Sequence, residues 1–256
     1  MKNKTLTNIL LACSGLAVVL VIWEIAARIA GADAAIPAPS AVFSAIADNW
    51  AFIWENTKAT LTIAVVSLIL ALVAAFVTAS LIALSTKANK ALSPIVIASQ
   101  AFPIVTITPL LIVLFGKGDA FTIFFAAYIT WFPAVISFIH GLTKVDPDRL
   151  ALFQTAGATR WQVYRYLRLP SAARYIVAGV RASAALAFVD AIVAEYNFAS
   201  VGIGSVIILN TAGIVEQPAD ILVGLAVVSA IAGLTITFVT YGLAKRVMRP
   251  WLVPEN

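Results

Sequence analysis

Residues 59–84 read ATLTIAVVSLILALVAAFVTASLIAL and contain no charged side chain. A helix crosses the hydrocarbon core of a bilayer with about 20 apolar residues, so this segment is long enough to span a membrane. It lacks the alternation of polar and apolar residues that marks a barrel strand. We therefore predict a transmembrane helix here.

The rest of the chain has the composition of a membrane protein. Of its 256 residues, 62% are hydrophobic and 11% are charged, and the mean hydropathy is +0.99. Soluble domains carry about 25% charged residues, and a soluble core of this length could not hide so much apolar surface. The single cysteine and the single histidine argue against a disulfide or a metal centre, and we predict no cofactor.

Five further windows are long and apolar enough to cross a bilayer. They lie roughly at 9–30, 92–115, 120–140, 175–196 and 219–243. We predict an all-α, polytopic membrane protein with six transmembrane helices, forming a single domain over residues 1–256.

Basic residues are divided unequally between the loops. If the N-terminus is cytoplasmic, the predicted outer loops hold only Lys58 and Lys117, and the other loop lysines and arginines face the cytoplasm. This bias predicts that both termini are cytoplasmic. The net charge of +5 then reflects membrane topology, and no nucleic-acid partner is expected.

The first window has an alternative interpretation. Lys2, Lys4, the apolar run from Ile9 and the later Ala30-Gly31-Ala32 also fit a cleaved signal peptide. The apolar run continues to Ile29, which favours a retained span because a signal peptide's apolar core is shorter.

The longest predicted cytoplasmic loop, about 140–174, is basic and amphipathic. Apolar residues recur at nearly helical spacing, Gly157 suggests a turn between two short helices, and Pro170 is expected to end the second helix. Such a loop either lies on anionic lipid headgroups or docks a cytoplasmic partner.

Ionisable residues within the predicted spans are costly and mark candidate function. Glu24 and Arg28 are spaced to neutralise each other, Arg181 can extend towards the cytoplasm, and Asp190 lies deep in span five. Glu195 is expected to be hydrated near the outer surface. These groups keep an ion-coupled secondary transporter open as an alternative, whereas a membrane enzyme has little support because no nucleophile with a neighbouring base is evident.

The segment Gly157 to Leu169-Pro170 resembles the cytoplasmic "EAA" loop of ABC importer permeases, a Gly followed at a fixed distance by a hydrophobic residue and Pro. The Glu-Ala-Ala start of that loop is replaced by Ala151-Leu152-Phe153. Dipeptides along most of the chain resemble the nitrate/sulfonate/taurine-type permeases. They include Trp23-Glu24, Thr60-Leu61, Phe102-Pro103, Phe132-Pro133, and Glu195 with Gly202-Ile203-Gly204. The His and Arg that often flank Thr60-Leu61 in that family are absent here, where Asn56 and Ala64 stand nearby.

The resemblance implies a type I permease in a bacterial inner membrane. Its partners would be cytoplasmic ATPase subunits, a second permease copy or homologue, an extracytoplasmic substrate-binding protein and the lipid bilayer. No GxxxxGK[ST] phosphate loop occurs in the sequence, so ATP would be hydrolysed in a separate subunit and this chain would not be an enzyme.

Two groups of residues carry the expected function. Residues 149–170 would couple the permease to its ATPase through Leu152, Phe153, Ala156, Gly157, Arg160, Leu169 and Pro170. The translocation path would include Gln100, Phe102, Thr106, Asp190 and Glu195. The prolines of span three, Pro94, Pro103 and Pro109, indicate either a cavity lining or a kinked packing helix. A sulfonate or taurine is the first expectation for the solute, then nitrate, with a thiamine precursor or riboflavin as the alternative.

Overall fold

The computed structural model describes residues 2–31 and 36–252, and every regular element within these ranges is helical. Four of the described helices are long and apolar enough to cross a membrane: Trp50–Leu84, Asp119–Thr143, Ala173–Phe198 and Ala219–Trp251. The first of these contains the charge-free segment 59–84. The prediction of an all-helical, polytopic membrane protein is therefore confirmed.

The helices follow one another with short connections. In chain order they are α1 (Lys2–Ala30), α2 (Pro39–Asp48), α3 (Trp50–Leu84), α4 (Thr86–Ala98), α5 (Thr108–Phe115), α6 (Asp119–Thr143), α7 (Pro147–Thr155), α8 (Arg160–Val163), α9 (Leu169–Ser171), α10 (Ala173–Phe198), α11 (Ile203–Thr211) and α12 (Ala219–Met248). A π-helical turn, Tyr164–Arg168, joins α8 to α9.

The core is built by α3, α6 and α10, with α12 packed against α10 and α3. Small residues on α10 let these helices approach closely. A Cβ added at Gly179 would lie 2.9 Å from side-chain atoms of both Ser137 and Phe138 on α6. Ala184, Ala187 and related positions on α10 are completely buried. The side of α10 that carries these small residues is thus a packing surface.

The predicted third span, 92–115, is not one helix. α4 ends at Ala98, a 3₁₀ turn covers Ser99–Ala101, and α5 begins only at Thr108. Pro103 cannot donate a backbone hydrogen bond, and turn bonds such as Thr106 N–H to Pro103 O, at 2.9 Å, replace the helical ladder. Pro109 lies in the first turn of α5, where a missing N–H carries no cost.

At the junction of α1 and α2, the Glu24 carboxylate accepts hydrogen bonds from the N-terminus of α2. Glu24 accepts hydrogen bonds from Arg28 Nε (2.6 Å), Ser40 N–H (3.0 Å) and Ser40 Oγ (2.7 Å). Ser40 is in the first turn of α2, where backbone N–H groups lack helical partners. The expected Glu24–Arg28 pair is present, and Glu24 also attaches α1 to α2.

Candidate functional site

The first candidate site is a polar cluster where α3, α10 and α11 meet. Glu195 Oε2 accepts hydrogen bonds from Thr60 Oγ1 at 2.8 Å and from Gly204 N–H at 3.0 Å. Thr60 Oγ1 in turn accepts from Ile203 N–H at 3.0 Å, and Asn56 Oδ1 accepts from Gly202 N–H at 3.2 Å. These bonds satisfy backbone N–H groups at the start of α11 with side chains from two spans. We refer to Asn56, Thr60, Glu195 and 202–204 as the α11 clasp.

The expectation of a hydrated Glu195 was wrong. Its side chain is completely buried, because the turn at 202–204 folds back over it. Gly202 has φ +116°, and a Cβ on it would collide with the Glu195 carboxyl group. A Cβ at Gly204 would lie 2.6 Å from Tyr196 N and 2.7 Å from Glu195 Cβ. Both glycines are required by this close approach.

Asp190 is also buried, one turn further into α10. Its Oδ2 accepts a hydrogen bond from Thr130 Oγ1 of α6 at 2.8 Å. Ser183 Oγ, two turns earlier on α10, donates to Thr130 O at 2.9 Å. The Asp190 carboxylate therefore has a polar partner on another span, as a buried ionisable group requires. The two hydrogen bonds connect α10 to α6.

The remaining candidate path residues lie elsewhere. Gln100, Phe102 and Thr106 are exposed, in or beside the break between α4 and α5. Phe102 lines an open cavity of about 560 Å³ with Pro103 and Tyr128. The structure therefore divides the five candidates into an exposed group and a buried group, and no hydrogen bond among the described residues joins the two.

The second candidate site is the segment α7 to α9. Asp146 starts α7 by accepting the Asp148 N–H at 2.9 Å, and Thr159 and Gln162 form a reciprocal cap at the start of α8. Between the two helices Gly157 has φ +71°, with nothing within 4 Å of an added Cβ. The predicted turn is confirmed, and Gly157 is needed for its backbone conformation rather than for a close contact.

Pro170 does not end the helix, contrary to expectation. The chain stays helical from Arg160 to Ser171. A proline ring normally clashes with the carbonyl of residue i−4. The π-turn Tyr164–Arg168 widens the helix just before Pro170, which occupies the first turn of α9, where a proline is tolerated. The prediction that Pro170 ends the helix was wrong because it assumed a regular α-helix, without a π-turn, before the proline.

One side of this segment is fixed to the spans and the other is exposed. Val163, Tyr164 and Leu167 are buried, and Tyr164 Oη lies 2.7 Å from Ser80 Oγ on α3. Arg168 donates to Leu142 O at the end of α6, at 3.1 Å, and partial burial lowers the pKa of its guanidinium. Nothing in the sequence pattern marked Tyr164 or Leu142 as functional residues. Only the spacing of the apolar residues hinted at the buried side.

The exposed side carries large apolar residues. Leu152 and Trp161 are 67% and 57% exposed, and Tyr166 is exposed as well. Among the coupling candidates, Ala156, Gly157 and Arg160 are exposed, and Phe153, Leu169 and Pro170 are half-buried. All seven coupling candidates thus lie on one helical hairpin, and each is exposed or half-buried. An exposed apolar and basic surface of this kind is typical of an interaction site.

Comparison with known proteins identifies the family of the chain. The model of the binding-protein-dependent transport system inner membrane component family matches residues 67–250. The riboflavin transport permease RibX of Chloroflexus aurantiacus is 33% identical over 239 residues, which cover 92% of this chain and 88% of RibX.

Other relatives carry different substrate names. The formylaminopyrimidine permease ThiX of Halalkalibacterium halodurans is 28% identical over 72% of this chain and 74% of its own length. The taurine permease TauC of Escherichia coli is 27% identical over 78% of this chain and 72% of its own length. The chain therefore belongs to the family of binding-protein-dependent transport system inner membrane components, as a multi-pass permease subunit of an ABC importer that is not itself an enzyme.

Proposed function

We propose that the chain, as one domain with six spans and both termini in the cytoplasm, forms the translocation path of its importer beside a second copy or a homologue. α1 and the broken segment α4–α5 would supply the two spans beyond the four long helices. An apolar groove of about 530 Å³ between α10, α11 and α12 offers a surface for the neighbouring subunit. Alternating access would follow when the ATPase pair closes and moves the helices that it contacts.

Residues 149–170 are the proposed docking site for the ATPase. The observation that carries this assignment is the two-sided character of the segment. Its buried side is bonded to α3 and α6 through Tyr164 and Arg168, and its exposed side presents Leu152 and Trp161. A partner that pushes on the exposed side would therefore move the spans directly.

Substitution of Gly157 tests the docking site. Valine at φ +71° is strained by about 1–3 kcal/mol, because a β-branched residue is unfavourable in that conformation. Gly157→Val should distort the turn between α7 and α8, reduce co-purification of the ATPase and abolish solute-stimulated ATP hydrolysis. Asparagine tolerates this backbone region, so Gly157→Asn is the matched control and should behave nearly as wild type. Normal ATPase recovery with Gly157→Val would contradict the assignment.

For the solute we propose a nitrogen heterocycle of the kind for which RibX and ThiX are named. RibX is 33% identical over 92% of the chain, against 27% over 78% for TauC, which supports this choice over the sulfonate expected from the sequence. A sulfonate permease of Escherichia coli matches 40% of the chain at 32% identity, so a sulfonate is the second candidate.

Uptake assays decide between the solutes. Cells coexpressing the permease with its cognate ATPase and binding protein would be given labelled riboflavin, an aminopyrimidine or taurine. We expect uptake of one of the first two, and unlabelled taurine should not compete. Uptake of taurine alone would establish the second candidate instead.

A further inference from the structure

A small polar cavity lies beneath the α7–α8 hairpin. It has a volume of about 220 Å³ and is bounded by the end of α3, by α7 and by the start of α8. Leu84, Leu150 and Val163 form apolar walls, and Gln154, Arg160 and Arg168 supply its polar groups. The position places the cavity directly beside the proposed ATPase docking surface.

The cationic groups of this cavity are incompletely paired. No ion pair joins Arg160 or Arg168 to a carboxylate within the described parts of the chain. Arg168 directs one nitrogen at Leu142 O, which leaves most of its five donor N–H bonds for other groups. A guanidinium pair with an amide beside it matches an anion with two oxygens, since arginine forms paired hydrogen bonds with carboxylate or phosphate.

The surrounding chain cannot supply that anion. Residues 149–189 contain no Asp or Glu. The two acids just before them, Asp146 and Asp148, are exposed, and Asp146 caps α7 and lies 3.6 Å from Arg149 Nε. The cytoplasmic segment 85–93 contains Lys87 and Lys90 and no acid. No carboxylate of these neighbouring segments therefore pairs with the two arginines, which leaves them available to an anion from another molecule.

We propose that this cavity receives an Asp or Glu side chain of the ATPase subunit, so that the permease contributes the cations and the ATPase the carboxylate. The inference rests on the proposed docking function. The geometry favours a protein carboxylate over a lipid phosphate because Leu152 and Trp161 lie exposed on the same hairpin. Apolar anchors beside arginines are typical of the centres of protein interfaces.

The test measures ATPase affinity for the whole permease in nanodiscs. One set contains only phosphatidylcholine and the other adds phosphatidylglycerol. In neutral discs we expect Arg160→Gln to weaken binding about tenfold, since the bound ATPase would enclose the charge pair, and an enclosed pair contributes more than an exposed one. The control is Arg246→Gln on α12, which removes the same charge from an exposed position outside the hairpin and should change affinity less than about twofold.

A second variant tests the cavity without removing an arginine. Gln154 is exposed on α7, so Gln154→Glu should fold normally and place a carboxylate of the chain itself in the cavity. It should therefore compete with the ATPase and weaken binding in neutral discs.

Three outcomes of these experiments would overturn the proposal. Unchanged affinity for both cavity variants shows that the cavity takes no part in docking, while Gly157→Val still tests the hairpin. An effect of Arg160→Gln only in discs with phosphatidylglycerol assigns the cavity to a lipid phosphate. A wild type that binds no ATPase removes the docking function itself.

Discussion

At the scale of single residues, Glu195 has the most informative environment. A buried carboxyl group is costly unless it is hydrogen-bonded, and Glu195 Oε2 receives two donors from α3 and α11. Its other oxygen, Oε1, is buried with no partner in the described part of the chain. One oxygen thus accepts both hydrogen bonds, and an amide carbonyl could accept them in its place.

We therefore predict that Glu195→Gln is tolerated and Glu195→Leu is not. The glutamine carbonyl can accept from Thr60 and Gly204, whereas leucine leaves the buried Gly204 N–H without an acceptor at a cost of about 1–3 kcal/mol. Thermal unfolding of the detergent-solubilised permease measures the difference. If the leucine variant melts with the wild type, the α11 clasp does not stabilise the fold.

At the scale of helices, the attachment of α1 depends on one side chain. Glu24 accepts the hydrogen bonds from Ser40 on α2, whereas Arg28 has a side-chain hydrogen bond only to Glu24 among the residues that the structure describes. The two residues form an ion pair, but they contribute unequally to the junction. Treating them as a self-contained pair, as their spacing suggests, misses the role of Glu24 at the N-terminus of α2.

We predict that Glu24→Leu exposes the Ser40 amide and Arg28→Leu does not. The Ser40 N–H lies in the first helical turn and has no carbonyl acceptor within α2, so it loses protection when the carboxylate is removed. Hydrogen exchange of peptides covering residues 37–42 measures this effect, and Arg28→Leu is the matched control. Equal exchange in both variants would contradict the unequal roles.

The whole molecule is organised around a charge asymmetry. Basic residues concentrate at the start of α4, after the end of α6, at the end of α12 and in the hairpin, all on the side expected to be cytoplasmic. This distribution predicts the orientation of the chain independently of its packing.

A reporter that is active only outside the cytoplasm tests that orientation. Fused after Asp119, at the start of α6, it should be active, and fused after Asn256 it should be silent. Matched expression of the two fusions is verified by immunoblot. Activity at Asn256 would refute the six-span topology.

How much of the fold and of the candidate site could be predicted from the sequence depends on how far apart in sequence the interacting residues lie. Residues 59–84 identify a span because hydrophobic length is a local property, and Gly157 identifies a turn for the same reason. The burial of Glu195 could not be predicted, since Thr60 is 135 residues away in sequence. The glycines at 202 and 204 were the available signal, because paired glycines indicate a close backbone approach.

The segment predicted as the third span shows a different limit to sequence-based prediction. Its prolines were evident, but a kinked helix and a broken one have the same local sequence. Which one forms depends on whether neighbouring groups accept the freed backbone. In the same way, the helix passes Pro170 only because a π-turn precedes it, and local rules do not foresee that turn.

The break between α4 and α5 also bears on how the chain is made. A nascent segment usually enters the bilayer alone if its backbone is satisfied internally. Residues 102–107 cannot meet that condition by themselves, since turns replace the helical ladder there. We expect this part of the chain to partition stably only after α6 has been synthesised to pack beside it. In that case the broken segment and α6 would enter the membrane together, as one hairpin.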